Sequence, residues 1–178
     1  RLAASIAVVI SDHCDAFGLE RAQMAGIVTQ CKPFGPFRGS PGGRTAYDRD
    51  LADAIDAFAP DLIVLAGWMR LLSPAFLDRF PEQVINLHPA LPGTFPGAHA
   101  IEEAFAAAQA GLVDHTGVMV HWVVPEMDAG PIISSQRVTI EPGDTIEGLE
   151  QRIHAVEHPL LVGAIEMVLR SHRVAERS

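Results

Sequence analysis

The sequence predicts an α/β domain with a mostly parallel sheet flanked by helices and an antiparallel hairpin late in the chain. Apolar runs such as residues 61–67 (DLIVLAG) are continuous rather than alternating, which is typical of parallel strands buried on both faces. Amphipathic stretches separate these runs, as crossover helices separate parallel strands. Two further apolar runs late in the chain are joined by a short loop, which favours a hairpin.

The individual elements follow from these patterns. Strands are expected at residues 6–10, 61–67, 84–88, 117–124 and 132–140, and helices at 16–25, 98–110 and about 145–170. Thr45 and Asp48 form a capping box that should start another helix, and Ser73-Pro74 should start a short one. Proline and glycine between residues 32 and 43 predict a loop, and Pro159 should kink or interrupt the last helix. The alternation of strand and helix indicates a Rossmann-like sheet.

Bulk composition narrows the class of protein. A chain of 178 residues fits a single domain spanning residues 1–178, and it has no apolar run of the roughly 20 residues that cross a bilayer. A net charge of −9 argues against nucleic acid as a partner.

Cys14 and Cys31 form no metal-ligand cluster, and two cysteines suit a reducing cytosol. We therefore expect unpaired thiols and a cytoplasmic location.

Candidate chemistry lies where predicted strands end, because ligands bind α/β sheets at the carboxyl ends of the strands. Asn86 and His88 are two residues apart on one strand, so their side chains leave the same face. With the carboxylate of Asp128, an amide and an imidazole could promote acyl transfer to an amine. Locally, the alternatives are a strand cap at Asn86, a buried histidine at His88 and a turn at Asp128.

Three segments resemble the folate-dependent formyltransferases, in particular those that act on glycinamide ribonucleotide. They are DLIVLAGWMRLLSP, VINLHPALPGTFPGAHAIEEAF and HTGVMVHWVVPEMDAGPII. The similarity extends over about residues 6–169. It implies transfer of a formyl group from 10-formyltetrahydrofolate, as co-substrate, to the amine of glycinamide ribonucleotide in purine biosynthesis. It implies no metal, small-molecule partners only, and a monomer or homodimer.

The resemblance also assigns residues to roles. The residues matching the family's catalytic positions are Asn86, His88 and Asp128. Those matching the folate pocket are Met69, Arg70, Leu71, Leu72, Val124, Glu126, Met127 and Asp128. Those matching positions that contact the ribonucleotide are Gly67, Asn86 and Glu157. The chain starts after the strand and glycine-rich phosphate loop with which the family begins, so we expect it to be incomplete at the N-terminus.

Three alternatives remain open at this point. A formyltetrahydrofolate deformylase is related, although it typically has His-His-Ser after the asparagine where this chain has His88-Pro89-Ala90. A non-catalytic folate-binding or nucleotide-binding module would share the fold. His154, Glu157 and His158 match the H-x-x-E-H zinc-protease pattern, but no third ligand is evident, and we expect no metal.

Overall fold

The computed structural model describes residues 4–175, with side chains to residue 171. It has six strands and five α-helices. The strands are β1 (Val9–Ser11), β2 (Thr29–Cys31), β3 (Ile63–Ala66), β4 (Val84–His88), β5 (His115–Trp122) and β6 (Ile132–Thr139). The helices are α1 (Phe17–Met24), α2 (Gly43–Asp56), α3 (Pro74–Leu77), α4 (Ala100–Gln109) and α5 (Ile146–Ala175), with a 3₁₀ turn at Gly35–Phe37.

The described chain forms two compact units, of which the first comprises residues 4–61 and 70–81. Its strands β1 and β2 pair in parallel. Its core centres on Tyr47, whose ring makes edge contacts with Phe34 and Phe37 and whose hydroxyl donates to the Lys32 carbonyl at 2.9 Å. Apolar side chains of α2 and α3 complete this core, including Leu51 and Phe76.

The second unit comprises residues 62–69 and 82–175 and contains a four-stranded sheet in the order β3-β4-β5-β6. The β3–β4 pair is parallel, whereas β4–β5 and β5–β6 are antiparallel. Helix α5 packs against β5 and β6, where Leu149 and Ile153 are fully buried. The predicted α/β class, the parallel early strands and the late hairpin are confirmed. The expectation of one domain over residues 1–178 stays a prediction.

The capping box proposed at Thr45 is wrong, because α2 begins two residues earlier, after Gly42 in a left-handed conformation. Asp48 is instead fully buried and accepts a hydrogen bond from the Ser73 backbone at 2.8 Å. Arg44 pairs with the same carboxylate at 3.2 Å. A buried carboxylate needs such donors, so a tertiary contact has replaced the local cap.

Pro159 does not interrupt the last helix, which runs from Ile146 to Ala175. Proline removes one backbone donor and costs about 3 kcal/mol in a helix interior. Side chains on both sides of it are buried against the unit, among them Ile153 and Ala164. This packing offsets the lost hydrogen bond. Within residues 4–175, no helix is both long enough and apolar enough to span a membrane.

The expectation of unpaired thiols is also wrong, because Cys14 and Cys31 form a disulfide. Their spacing of 17 residues gave no sign of pairing. Parallel pairing of β1 with β2 places Ser11 opposite Cys31, and the turn after β1 then returns Cys14 to within 5.1 Å of Cys31, measured between Cα atoms. The bridge therefore depends on tertiary structure rather than on a local motif.

Candidate active site

The carboxyl-terminal half of β4 holds two polar side chains that meet a third from a loop. The Asn86 amide nitrogen lies 3.4 Å from Oδ1 of Asp128, and His88 Nδ1 lies 3.6 Å from Oδ2 of the same carboxylate. All three side chains belong to the second unit. The structure therefore brings together the residues that the sequence grouped.

Asp128 is held in place by its backbone and by one strong donor. Its φ of 49° is left-handed, a conformation that aspartate tolerates better than most residues. Its Oδ2 atom accepts the Gly97 N–H at 2.9 Å, and its side chain is 14% exposed. The carboxylate is thus fixed beside β4 while retaining some access to solvent.

The imidazole of His88 faces an acceptor at each ring nitrogen. Nε2 lies 2.9 Å from the Phe95 carbonyl oxygen, and Nδ1 faces the Asp128 carboxylate. The side chain is only 5% exposed. A carbonyl and a carboxylate can only accept hydrogen bonds, so each ring nitrogen faces a group to which an N–H could donate. The contact of Nδ1 with Asp128 is the longer one, so an N–H at this atom can also donate to an oxygen that develops negative charge.

Sequence reasoning missed His121, which completes the cluster. It lies on β5 directly opposite Asn86 in the antiparallel register and is 2% exposed. Its Nε2 atom is 3.3 Å from the Asn86 amide nitrogen and 3.6 Å from Oδ1 of Asp128. The only signal in the sequence was a histidine within an apolar run, and its importance depends on a strand register that the sequence does not specify.

The residues predicted to bind folate differ in exposure. Met69 and Met127 are 73% and 48% exposed, so their side chains are accessible. In the first unit, Leu71 is exposed and Leu72 is buried. In the second unit, Val124 is half-buried and Glu126 exposed.

Arg70, also in the first unit, is engaged by two neighbours. Its guanidinium pairs with Asp12 at 2.6 Å and lies 4.6 Å from the centre of the Phe34 ring.

The two predicted ribonucleotide contacts outside β4 lie on different elements. Gly67 follows β3 and has a φ of +70°, which glycine adopts without strain. Glu157 lies on α5, with its carboxylate 3.9 Å from His154. Among the residues that the structure describes, no group of three or more His, Cys, Asp or Glu side chains is placed to hold a metal ion.

This arrangement has the parts that acyl transfer to an amine requires. An amide and an imidazole can donate to an oxyanion, and a carboxylate beside them can accept the proton of an attacking nucleophile. The fold and the site together define an α/β protein equipped for group transfer from an acyl-type donor.

Comparison with known proteins identifies the family. Residues 1–165 match the family described as formyl transferase. The phosphoribosylglycinamide formyltransferase of Schizosaccharomyces pombe is 47% identical over 176 residues, covering 96% of this chain and 85% of the relative. The enzyme of the same name from Escherichia coli is 39% identical, covering 90% of this chain and 72% of the relative. The chain therefore belongs to the formyl transferase family.

Solved structures agree with this assignment. The crystal structure of phosphoribosylglycinamide formyltransferase from Bacillus halodurans superposes with a TM-score of 0.85 at 36% identity, covering 94% of this chain and 82% of that one. Glycinamide ribonucleotide transformylase 1 from Symbiobacterium toebii gives a TM-score of 0.82 at 41% identity, covering 90% and 72%. The α/β fold is thus shared with solved structures that carry these two names.

Proposed function

We propose that this protein transfers the formyl group of 10-formyltetrahydrofolate to the amine of glycinamide ribonucleotide, a step of purine biosynthesis. Relatives with that activity in their names align over nearly the whole chain. The structural observation that supports the proposal best is the Asp128 carboxylate, which lies beside both Asn86 and His88. Direct transfer between two bound substrates needs no metal in this scheme.

The first step is attack of the ribonucleotide amine on the formyl carbon. A carbon–nitrogen bond forms, the carbonyl π electrons move to oxygen, and a tetrahedral intermediate results. The Asn86 amide and the protonated His88 imidazole donate hydrogen bonds to this oxyanion. Donors that are already oriented before the reaction stabilise the transition state without the cost of reorganising water.

The second step moves one proton and breaks one bond. The attacking nitrogen loses its extra proton to Asp128, directly or through one water molecule, and the carbonyl re-forms as the bond to folate N10 breaks. The proton then passes to N10, so the products are tetrahydrofolate and the formylated amine. Asp128 is suited to this role because its carboxylate is fixed by Gly97 yet 14% exposed.

Substrate contacts are part of the same proposal and come from the family resemblance. The residues assigned to the formyl donor are Met69, Arg70, Leu71, Leu72, Val124, Glu126, Met127 and Asp128. Those assigned to the ribonucleotide are Gly67, Asn86 and Glu157. A cytoplasmic location and a monomeric or homodimeric state are also proposed.

The deciding experiment incubates the full-length protein with 10-formyltetrahydrofolate, with and without glycinamide ribonucleotide, and follows formation of tetrahydrofolate. We expect release that depends on the acceptor, in equal amount to formylated ribonucleotide. Release at the same rate with water alone would identify a deformylase. Binding of folate without release in either case would identify a non-catalytic module. Gln136→Ala, on the exposed edge strand β6, is the control variant.

A further inference from the structure

His121 is buried beside the proposed catalytic residues, yet the mechanism above leaves it without a role. Its ring is fixed from the other side, because Nδ1 lies 2.9 Å from the backbone carbonyl oxygen of Trp122. A carbonyl oxygen only accepts hydrogen bonds, so the ring proton lies on Nδ1. In the neutral ring, Nε2 is then an acceptor that faces the centre of the cluster.

The polar atom within hydrogen-bond distance of Nε2 is the amide nitrogen of Asn86, at 3.3 Å, whereas Oδ1 of Asp128 lies beyond that distance at 3.6 Å. This nitrogen has two hydrogens, and the second faces Oδ1 of Asp128 at 3.4 Å. If the amide were flipped by about 180°, its oxygen would face the lone pair on Nε2 of His121 and Oδ1 of Asp128. No hydrogen would then lie between the amide oxygen and either neighbour. Burial makes such an unmatched contact costly, so the two neighbours hold the amide with its nitrogen inward.

We propose that His121 is a positioning residue that keeps the Asn86 amide oriented as a hydrogen-bond donor to the oxyanion. One amide hydrogen stays with Nε2 of His121. The other makes only the long contact with Asp128, and it is the one that the formyl oxygen accepts in the transition state. This inference rests on the proposed role of Asn86, and it concerns the formyl-transfer reaction itself.

The β-sheet explains why the pair is well placed. Asn86 and His121 are directly opposite each other on adjacent antiparallel strands, so their side chains leave the same face of the sheet at a fixed separation. Neither residue depends on a loop for its position. His121 therefore acts on Asn86 across a strand pair of the second unit.

A double-mutant cycle separates this role from a general contribution to folding. We expect His121→Leu to lower kcat by about 10- to 100-fold, the range expected when a buried donor loses its acceptor. Because the interaction matters in the transition state, KM for both substrates should stay within about threefold. His121→Gln supplies an amide oxygen as acceptor and should recover most of kcat. His115→Leu, at the start of the same strand, is the matched control.

In the Asn86→Ala background, His121→Leu should have little further effect, because the group that it positions is absent. The inference is overturned if His121→Leu leaves kcat within a few-fold of the parent, or if its effect is as large in the Asn86→Ala protein. If His121→Leu does not fold, as judged by circular dichroism, His121→Met decides the question in the same cycle. An Asn86→Ala variant with normal turnover would instead contradict the proposed catalytic role of Asn86, whereas a parent protein without acceptor-dependent transfer would contradict the proposed function.

Discussion

Nδ1 of His88 lies 3.6 Å from Oδ2 of Asp128, and the opposite ring nitrogen faces the Phe95 carbonyl. The histidine is thus placed between a fixed backbone acceptor and a charged one. Both acceptors can receive an N–H of the imidazole, and of the two only the carboxylate is charged. The charge on Asp128 is therefore the feature of the site that substitution can test most cleanly.

Asp128→Asn should retain the fold while losing most of the activity. The amide keeps nearly the same volume and an oxygen that can accept the Gly97 N–H, but it neither stabilises imidazolium nor accepts a proton. General acid–base groups typically contribute about 10²- to 10⁴-fold, and we expect kcat to fall within that range. Initial rates at saturating substrates measure it; a kcat close to that of the parent would exclude Asp128 as the proton acceptor.

Arg70→Ala should weaken donor binding only modestly. The guanidinium is already engaged by Asp12 and Phe34, so its proposed contact with folate is made by the backbone. We expect the Kd for the donor to rise by less than about tenfold, equivalent to less than about 1.4 kcal/mol. Isothermal titration measures Kd, with Arg79→Ala, which pairs with Asp53 and Asp56, as the control. Complete loss of binding would show that the guanidinium contacts the ligand.

Cys31→Ser should destabilise the protein. The disulfide closes a loop with a sequence separation of 17 residues, and a crosslink of this size stabilises a fold by about 3 kcal/mol through the unfolded state. Urea denaturation of the oxidised parent should show a free energy of unfolding higher than that of the variant by about this amount. Reductant should lower the stability of the parent and leave that of the variant unchanged. A parent unaffected by reductant would mean that the thiols are unpaired.

Alkaline pH should destabilise the first unit through Tyr47. Burial, followed by the Asp12 carboxylate, raises the pKa of Tyr47 from 10.0 to about 12. The folded protein thus holds this proton more tightly than the unfolded chain does, and the associated stability is complete below pH 10 and lost as the pH rises toward 12. Unfolding at a series of pH values should show a smaller alkaline loss for Tyr47→Phe. An identical loss in both proteins would contradict this assignment.

The sequence predicted well those features that depend on local pattern. The observed β4 has the predicted bounds, because a short apolar run between turn-forming residues specifies a buried strand. The grouping of Asn86, His88 and Asp128 followed from strand periodicity and from the family motif. Both kinds of information are contained in short segments of the chain.

Features that depend on distant contacts were missed. His121 joins the site only through the register of β5 on β4, and the disulfide forms only when β1 and β2 pair. Asp48 was expected to cap its own helix, but it is buried against the Ser73 backbone. In each case the partner lies far along the chain, where neither propensity nor spacing indicates it.

The most direct measurement of the central claim is the rate of acceptor-dependent formyl transfer by Asn86→Ala. Loss of one oxyanion donor typically costs about 2.7 to 4 kcal/mol, so we expect kcat to fall by about 10²- to 10³-fold. The circular dichroism spectrum should be unchanged, and Gln136→Ala should retain the parental rate. If the purified Asn86→Ala protein formylates glycinamide ribonucleotide within a few-fold of the parental rate, the end of β4 is not where the reaction occurs.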